Sequence, residues 1–286
     1  MKPLVRRVTI IGMGLIGGSL GLALKRRHVA REVVGVARST ATLRVARQRG
    51  AMDWGTRSLA RAVRGTDLVV LAIPPAMILP LVKRLLPHLS SRTMLTDVAS
   101  VKQPIVQSLE RLLRGRAPRQ RVHFIGAHPV AGSEARGISA ATADLFQDSL
   151  CILTPTARTD QQARAMVRRL WQNVGARVIE LSPRTHDRWL AAVSHVPHLV
   201  AAALVNAAAS VPLSHAPRSF RDVTRIAQSD PRLWQDILLM NRRDVLVALT
   251  TVRQQLTRLW AALQRRDARA LLRALAQAQR RRRQLS

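Results

Sequence analysis

The spacing of apolar positions changes at about residue 182. Before it, short runs of β-branched and other apolar residues alternate with longer amphipathic stretches. Residues 8–11 (VTII) lead into GMGLIGG, and residues 20–24 (LGLAL) continue at helical spacing. Residues 32–37 (EVVGVA) read as a second strand. Residues 67–75 (DLVVLAIPP) are almost continuously apolar, the mark of a strand covered on both faces. Further strands are predicted at 93–96, 122–126, 150–154 and 176–181, with a helix near 160–174. This alternation predicts an α/β fold, with an N-terminal doubly wound, mostly parallel Rossmann-type sheet.

Beyond residue 182 no strand-like run appears. Helical patterns fill 186–209, 219–227, and 231 to the C-terminus. In the last of these Leu246, Leu249, Val252, Leu256, Leu259, Trp260 and Leu263 recur at three- and four-residue steps, an amphipathic stripe. We therefore expect a dinucleotide-binding domain over 1–182 and an all-helical domain over 183–286. Residues 189–217 contain no Asp, Glu, Lys or Arg and have the length of a membrane span. They also contain His195, His198, His215, Asn206 and three prolines, so a helix buried at a domain or subunit interface is the better reading, with no membrane partner.

The glycine loop carries the first chemical signal. Gly12, Gly14 and Gly17 follow a strand and open a helix, the context a dinucleotide-binding turn requires. Gly12 permits the sharp turn, Gly14 leaves room for a pyrophosphate, and Gly17 lets helix and strand pack closely. The N–H groups of Leu15, Ile16 and Gly17 are then free to face the phosphates. The second strand ends at Arg38-Ser39, where NAD sites usually carry an acid for the ribose 2′-hydroxyl. No acid stands there. Arg38 suits a 2′-phosphate, with Ser39 and Thr40 as donors, so NADP is expected, with NAD as the alternative. Ile73 and Pro74, at the end of the apolar strand, are expected beside the cofactor.

Composition adds a formal net charge of +31, from 47 basic and 16 acidic residues. The excess is almost all arginine and is spread along the chain. Tyrosine is absent and phenylalanine scarce, so base-stacking platforms are few. Non-specific attraction to polyanions at low salt is expected, and no specific nucleic-acid partner. The lone Cys151 lies in an apolar run and reads as a buried, inert thiol. It fits a reducing compartment, and we expect a cytoplasmic protein. Residues 1–7 pass directly into the first strand and leave no room for a signal peptide.

Two polar loops leave neighbouring strands where a nicotinamide would lie, 97–102 (DVASVK) and 128–134 (HPVAGSE). His128 is a candidate acid/base, with an ordinary pKa close to neutrality. Ser100 is placed to hold its imidazole or a substrate hydroxyl. His186-Asp187 and His195-x-x-His198 suggest metal ligands, but no cysteine pair or glutamate stands at helical spacing with them, and no metal is expected. No serine nucleophile elbow is present.

Taken in order, GMGLIGGS, DVASVK, GAHPVAGSE, HD with SHVPHLVAA, and SFRDVTRIAQSDPRLWQDI resemble the prephenate/arogenate dehydrogenases of tyrosine biosynthesis, over roughly residues 5–265. The resemblance implies oxidative decarboxylation of a cyclohexadienyl substrate, with hydride passing to a nicotinamide and CO2 leaving as the ring becomes aromatic. It implies that His128 takes the hydroxyl proton, that Ser100 orients that hydroxyl and the histidine, and that Arg225 binds a substrate carboxylate. Ser133, Glu134, Ser194 and His198 match pocket positions. It also implies a homodimer through the helical domain. Glu134 favours the ammonium of arogenate and His198 the keto acid of prephenate; Arg38, Ser39 and the DVASVK wording lean to the NADP-linked arogenate branch. The alternatives are another two-domain Rossmann reductase of the β-hydroxyacid or imino-acid type, or a non-catalytic polyanion-binding protein on the same scaffold.

Overall fold

A computed structural model describes residues 3–91, 93–114, 122–132, 135–210 and 212–285. Strands and helices alternate as β1 (Val5–Ile11), α1 (Leu15–Arg26), β2 (Ala30–Val36), α2 (Thr40–Gln48), β3 (Trp54–Thr56), α3 (Leu59–Val63), β4 (Leu68–Leu71) and α4 (Pro75–Leu85). They continue as β5 (Met94–Asp97), α5 (Gln103–Leu113), β6 (His123–Val130), β7 (Leu150–Thr154), α6 (Gln161–Asn173) and β8 (Arg177–Glu180). One eight-stranded sheet has the order β3-β2-β1-β4-β5-β6-β7-β8. Every pairing is parallel except β6 with β7. The strand order reverses between β1 and β4, which opens the crevice where ligands bind in doubly wound folds. All four residues of β4 are buried, as a continuous apolar strand requires.

Two differences from the sequence reading matter for function. The short strand β3 has no apolar run of its own, being Trp-Gly-Thr, and is held by pairing to β2. More consequentially, β6 runs on to Val130 because it pairs antiparallel with β7, so His128 lies within the strand, opposite Ile152, rather than in the loop beyond it.

The helical part contains α7 (Pro183–Leu190), a π-helical turn (Ala191–His195), α8 (Val196–Ala207), α9 (Arg218–Thr224), α10 (Pro231–Met240), α11 (Arg242–Gln264) and α12 (Ala268–Arg282). Ser182 caps α7 by accepting from the Thr185 N–H, and Pro183 occupies the first helical position. The stretch 183–207 is long and apolar enough to cross a membrane by length and composition alone. Its inner face carries the buried His186, Asp187, His195 and His198, which suits a protein interior and not lipid. The core here is small, with Ala191, Val196 and Val245 at its centre. Leu249 and Val252 of the amphipathic stripe join it, whereas Leu246, Leu256, Trp260 and Leu263 stand exposed.

The glycine loop has the geometry its sequence implies. Gly12 adopts φ +104°, and a Cβ there would lie 2.0 Å from the Ala72 carbonyl oxygen. A Cβ on Gly17 would lie 1.9 Å from the Gly12 oxygen, whereas one on Gly14 would meet nothing within 4 Å. Gly17→Ala is therefore expected to cost about 1–3 kcal/mol by overpacking, while Gly14→Ala leaves stability nearly unchanged and weakens dinucleotide binding. Thermal denaturation and cofactor titration of the two variants check this pair, and equal destabilisation would contradict it.

Candidate active site

The crevice begins at the N-terminus of α1. Gly14 is its N-cap, no side chain bonds the first-turn N–H groups, and no acid stands in that turn. Free N–H groups and the positive end of the helix dipole make an anion site. The open space at Gly14 is where a pyrophosphate fits, so the residues present suit a dinucleotide. Leu15 and Ile16 line the first turn, half-buried. Ile73 is half-buried and Pro74 caps α4 at the end of β4, on the same edge of the sheet. Arg38 is exposed just past β2. Ser39 caps α2 by accepting from the Ala41 N–H, which leaves its hydroxyl hydrogen free for a ligand.

A buried chain of side chains lies further along this edge. His128 Nδ1 is 2.8 Å from His186 Nε2, and His186 Nδ1 is 2.7 Å from Asp187 Oδ1. The proton positions follow from what each group can donate. Asp187 accepts the backbone N–H of Lys102 on Oδ1 and that of Gln103 on Oδ2, at 2.7 and 2.8 Å, so it is a carboxylate. A carboxylate only accepts, so His186 donates from Nδ1. His186 Nε2 then carries a lone pair and accepts from His128 Nδ1. The remaining nitrogen, His128 Nε2, then carries the lone pair and is the basic atom of the ring. Burial, followed by the charges of His186 and Lys102, holds His128 well below the usual histidine pKa and so keeps it neutral.

Two further contacts hold the strand that carries His128. Lys102 and Asp97 form an ion pair with no exposure of either side chain. Lys102 Nζ also donates to the Ala127 carbonyl at 2.8 Å, and Asp97 Oδ1 accepts the Ala127 N–H at 3.2 Å. The peptide groups immediately before His128 are thus clamped from both sides. Removing either partner of such a pair costs about 3–5 kcal/mol, because the other charge is left buried alone. On the helical side, His198 stacks on Trp234 with ring centroids 3.5 Å apart, and His195 meets the same indole edge-on at 6.0 Å.

The other expected residues fall as follows. His198 is buried and Ser194 half-buried in the π-helical turn. Ser100 is half-buried just past β5, and His186 occupies Nδ1 of His128. Arg225 begins a 3-10 turn after α9 and is exposed. Ser133 and Glu134 lie outside the described residues. The sequence reading did not recognise His186 and Asp187 as partners of His128, nor the clamp of Lys102 and Asp97. The adjacent pair His186-Asp187, which the sequence offers as a metal-ligand candidate and as part of the family motif, was the available signal.

A Rossmann-type cradle beside a buried neutral base defines an oxidoreductase that uses a nicotinamide dinucleotide. The nucleotide-binding domain model of prephenate dehydrogenase matches residues 20–180, and the dimerization domain model matches 182–277. The prephenate dehydrogenase of Bacillus subtilis is 33% identical over 280 residues, which spans 96% of this chain and 74% of that protein. The crystal structure of Aquifex aeolicus prephenate dehydrogenase, in complex with hydroxyphenyl propionate and NAD+, superposes with a TM-score of 0.90 at 32% identity and 98% coverage of both chains. Synechocystis arogenate dehydrogenase gives 0.82 at 32% identity, covering 98% of this chain and 100% of its own. The chain belongs to the prephenate dehydrogenase family and shares its reaction, the oxidative decarboxylation of a cyclohexadienyl acid.

The histidine cluster also sets an acid limit on stability. Burial lowers the folded-state pKa of His128, His186 and His195, the last to about 4. Groups that fold neutral contribute stability fully above their unfolded pKa of about 6.5 and lose it as pH falls towards the folded value. The melting temperature is expected to fall steadily from pH 7 to pH 4, and less steeply in His195→Gln. A melting temperature unchanged over that range would contradict the neutral assignment.

Proposed function

We propose that this protein oxidises arogenate with NADP, releasing CO2 and forming tyrosine, and that it works as a homodimer through its helical domain. The observation that carries the catalytic reading is the hydrogen-bonded chain from Asp187 through His186 to His128, which leaves the lone pair on His128 Nε2. His128 takes the proton of the ring hydroxyl. Losing that proton pushes electron density towards the ring carbon that bears the oxygen. A nicotinamide held by the glycine loop would supply the hydride acceptor for that carbon. The ring carboxylate then leaves as CO2, its bonding electrons complete the aromatic ring and pass density back to the oxygen, and His128 returns its proton to give the phenol. His186 and Asp187 spread the positive charge that arrives on His128 while holding its orientation. Ser100 orients the hydroxyl, and Arg225 pairs with a substrate carboxylate, for which a guanidinium has the matching geometry. Ser133, Glu134, Ser194 and His198 complete the pocket.

Gly12, Gly14, Leu15, Ile16, Gly17, Ile73 and Pro74 hold the dinucleotide, and Arg38 with Ser39 reads its 2′-phosphate. Support for NADP is an exposed guanidinium just past β2, where an acid would favour NAD. Prephenate is the second reading, favoured by buried His198, whose Nδ1 has no hydrogen-bond partner among the described residues and suits a keto-acid side chain. The dimer is supported by the uncovered side chains of Leu246, Leu256, Trp260, Leu263, Leu272 and Leu275, an apolar surface a monomer rarely leaves in water.

The test is a two-by-two assay of arogenate and prephenate, each with NAD and NADP, followed by the absorbance of reduced nicotinamide. Turnover is expected in all arogenate arms and fastest with NADP. Arg38→Asp is expected to shift the NADP/NAD ratio of kcat/KM at least about tenfold towards NAD, the equivalent of one lost charge-assisted contact. No turnover in any arm would remove the reaction, and an unchanged ratio would remove the cofactor reading.

A further inference from the structure

Asn241 joins α10 to α11 and is buried. Its amide has one possible orientation. Nδ2 donates to the backbone carbonyl of Asp187 at 2.8 Å, and a carbonyl only accepts. The same nitrogen lies 3.1 Å from His195 Nδ1, so its second N–H is donated there. His195 Nδ1 is therefore the acceptor, and a neutral His195 must carry its proton on Nε2. Burial keeps His195 neutral, lowering its pKa to about 4.

That Nε2–H is enclosed and has no hydrogen-bond partner among the described residues. An unpaired buried donor costs about 1–3 kcal/mol, and proteins keep few of them. It stands beside Trp234, against which His198 stacks, and His198 has an unpartnered ring nitrogen of its own. His195 closes the π-helical turn Ala191–His195, an irregularity that recurs at functional sites. The carboxylate of the Asp187 whose carbonyl Asn241 holds is the one that orients His186. One amide thus connects the chain ending at His128 with an unused donor on the helical side.

We propose that Asn241 is a positioning residue that locks His195 as its Nε2–H tautomer, and that this N–H is kept for an acceptor oxygen, carboxylate or carbonyl, of the bound cyclohexadienyl acid. The identity of the ligand rests on the reaction proposed above; the tautomer does not. A donor fixed at this point reads oxygen and opposes an ammonium facing it.

Protein labelled with 15N-histidine, read by long-range proton–nitrogen NMR, tests the lock directly. His195 is expected to be protonated at Nε2 in the enzyme without substrate. In Asn241→Asp the new carboxylate accepts from Nδ1, and the proton moves there. In steady-state assays Asn241→Asp is expected to raise KM for the ring substrate about tenfold, one hydrogen bond's worth, with a smaller change in kcat. His195→Gln keeps a donor and is expected to bind far better than His195→Phe. In the His195→Gln background Asn241→Asp should add little, since the two act as one unit. A wild-type His195 protonated at Nδ1, or fully additive effects of the two substitutions, would overturn the proposal. If Asn241→Asp does not fold, the wild-type spectrum still decides the tautomer, and equal KM values for His195→Gln and His195→Phe would overturn the ligand contact. If wild type turned over no substrate, the reaction reading would fail while the spectrum still answered the tautomer question.

Discussion

The carboxylate of Asp187 is the point on which the site depends. Helix α5 begins at Lys102 without a side-chain cap of its own. Asp187, on α7, supplies one by accepting the N–H groups of Lys102 and Gln103. The same carboxylate orients His186, which orients His128. One group therefore caps a helix of the sheet domain, fixes a helix of the helical domain against it, and dictates two histidine tautomers. Its backbone carbonyl is held in turn by Asn241. A shift between the two domains would cost the cap and the base together, so their relative placement is a chemical requirement.

The remaining interior reinforces this arrangement. The buried pair of Lys102 and Asp97 grips the Ala127 peptide groups, so the backbone entering His128 has little freedom. Such a pair contributes less to net stability than its contacts suggest, because both charges lose their water. Its benefit is geometric. Cys151 sits opposite Pro129 on β7, and burial pushes its thiol well above the usual range, so it stays protonated and takes no part in the chemistry.

Most of the architecture could be read from periodicity. The glycine loop, the continuous strand at β4 and the switch to helices after residue 182 all announced themselves through local spacing. His128 was legible as a candidate because it followed an apolar run. Its partners were not, because Asp187 lies 85 residues from Lys102 and the tautomer argument needs distances, not order. The extent of β6 was missed because antiparallel pairing with β7 decides where that strand ends. The stripe from Leu246 to Leu263 was rightly read as helical, yet Leu246, Leu256, Trp260 and Leu263 face outward, which helical spacing by itself does not reveal. Arg38 is one exposed arginine among many, and exposure alone does not set it apart.

Asp187 sets the proton positions that leave the lone pair on His128 Nε2. Asp187→Asn tests this most directly, because an amide has a single acceptor oxygen for the three donors that Asp187 holds, so it sets an N–H against an α5 N–H or against His186 and removes the charge that fixes the chain of tautomers. The account expects kcat to fall about 10²–10⁴-fold, the size of a lost general base, with dinucleotide affinity unchanged. A variant that binds the dinucleotide normally and keeps wild-type kcat would contradict it.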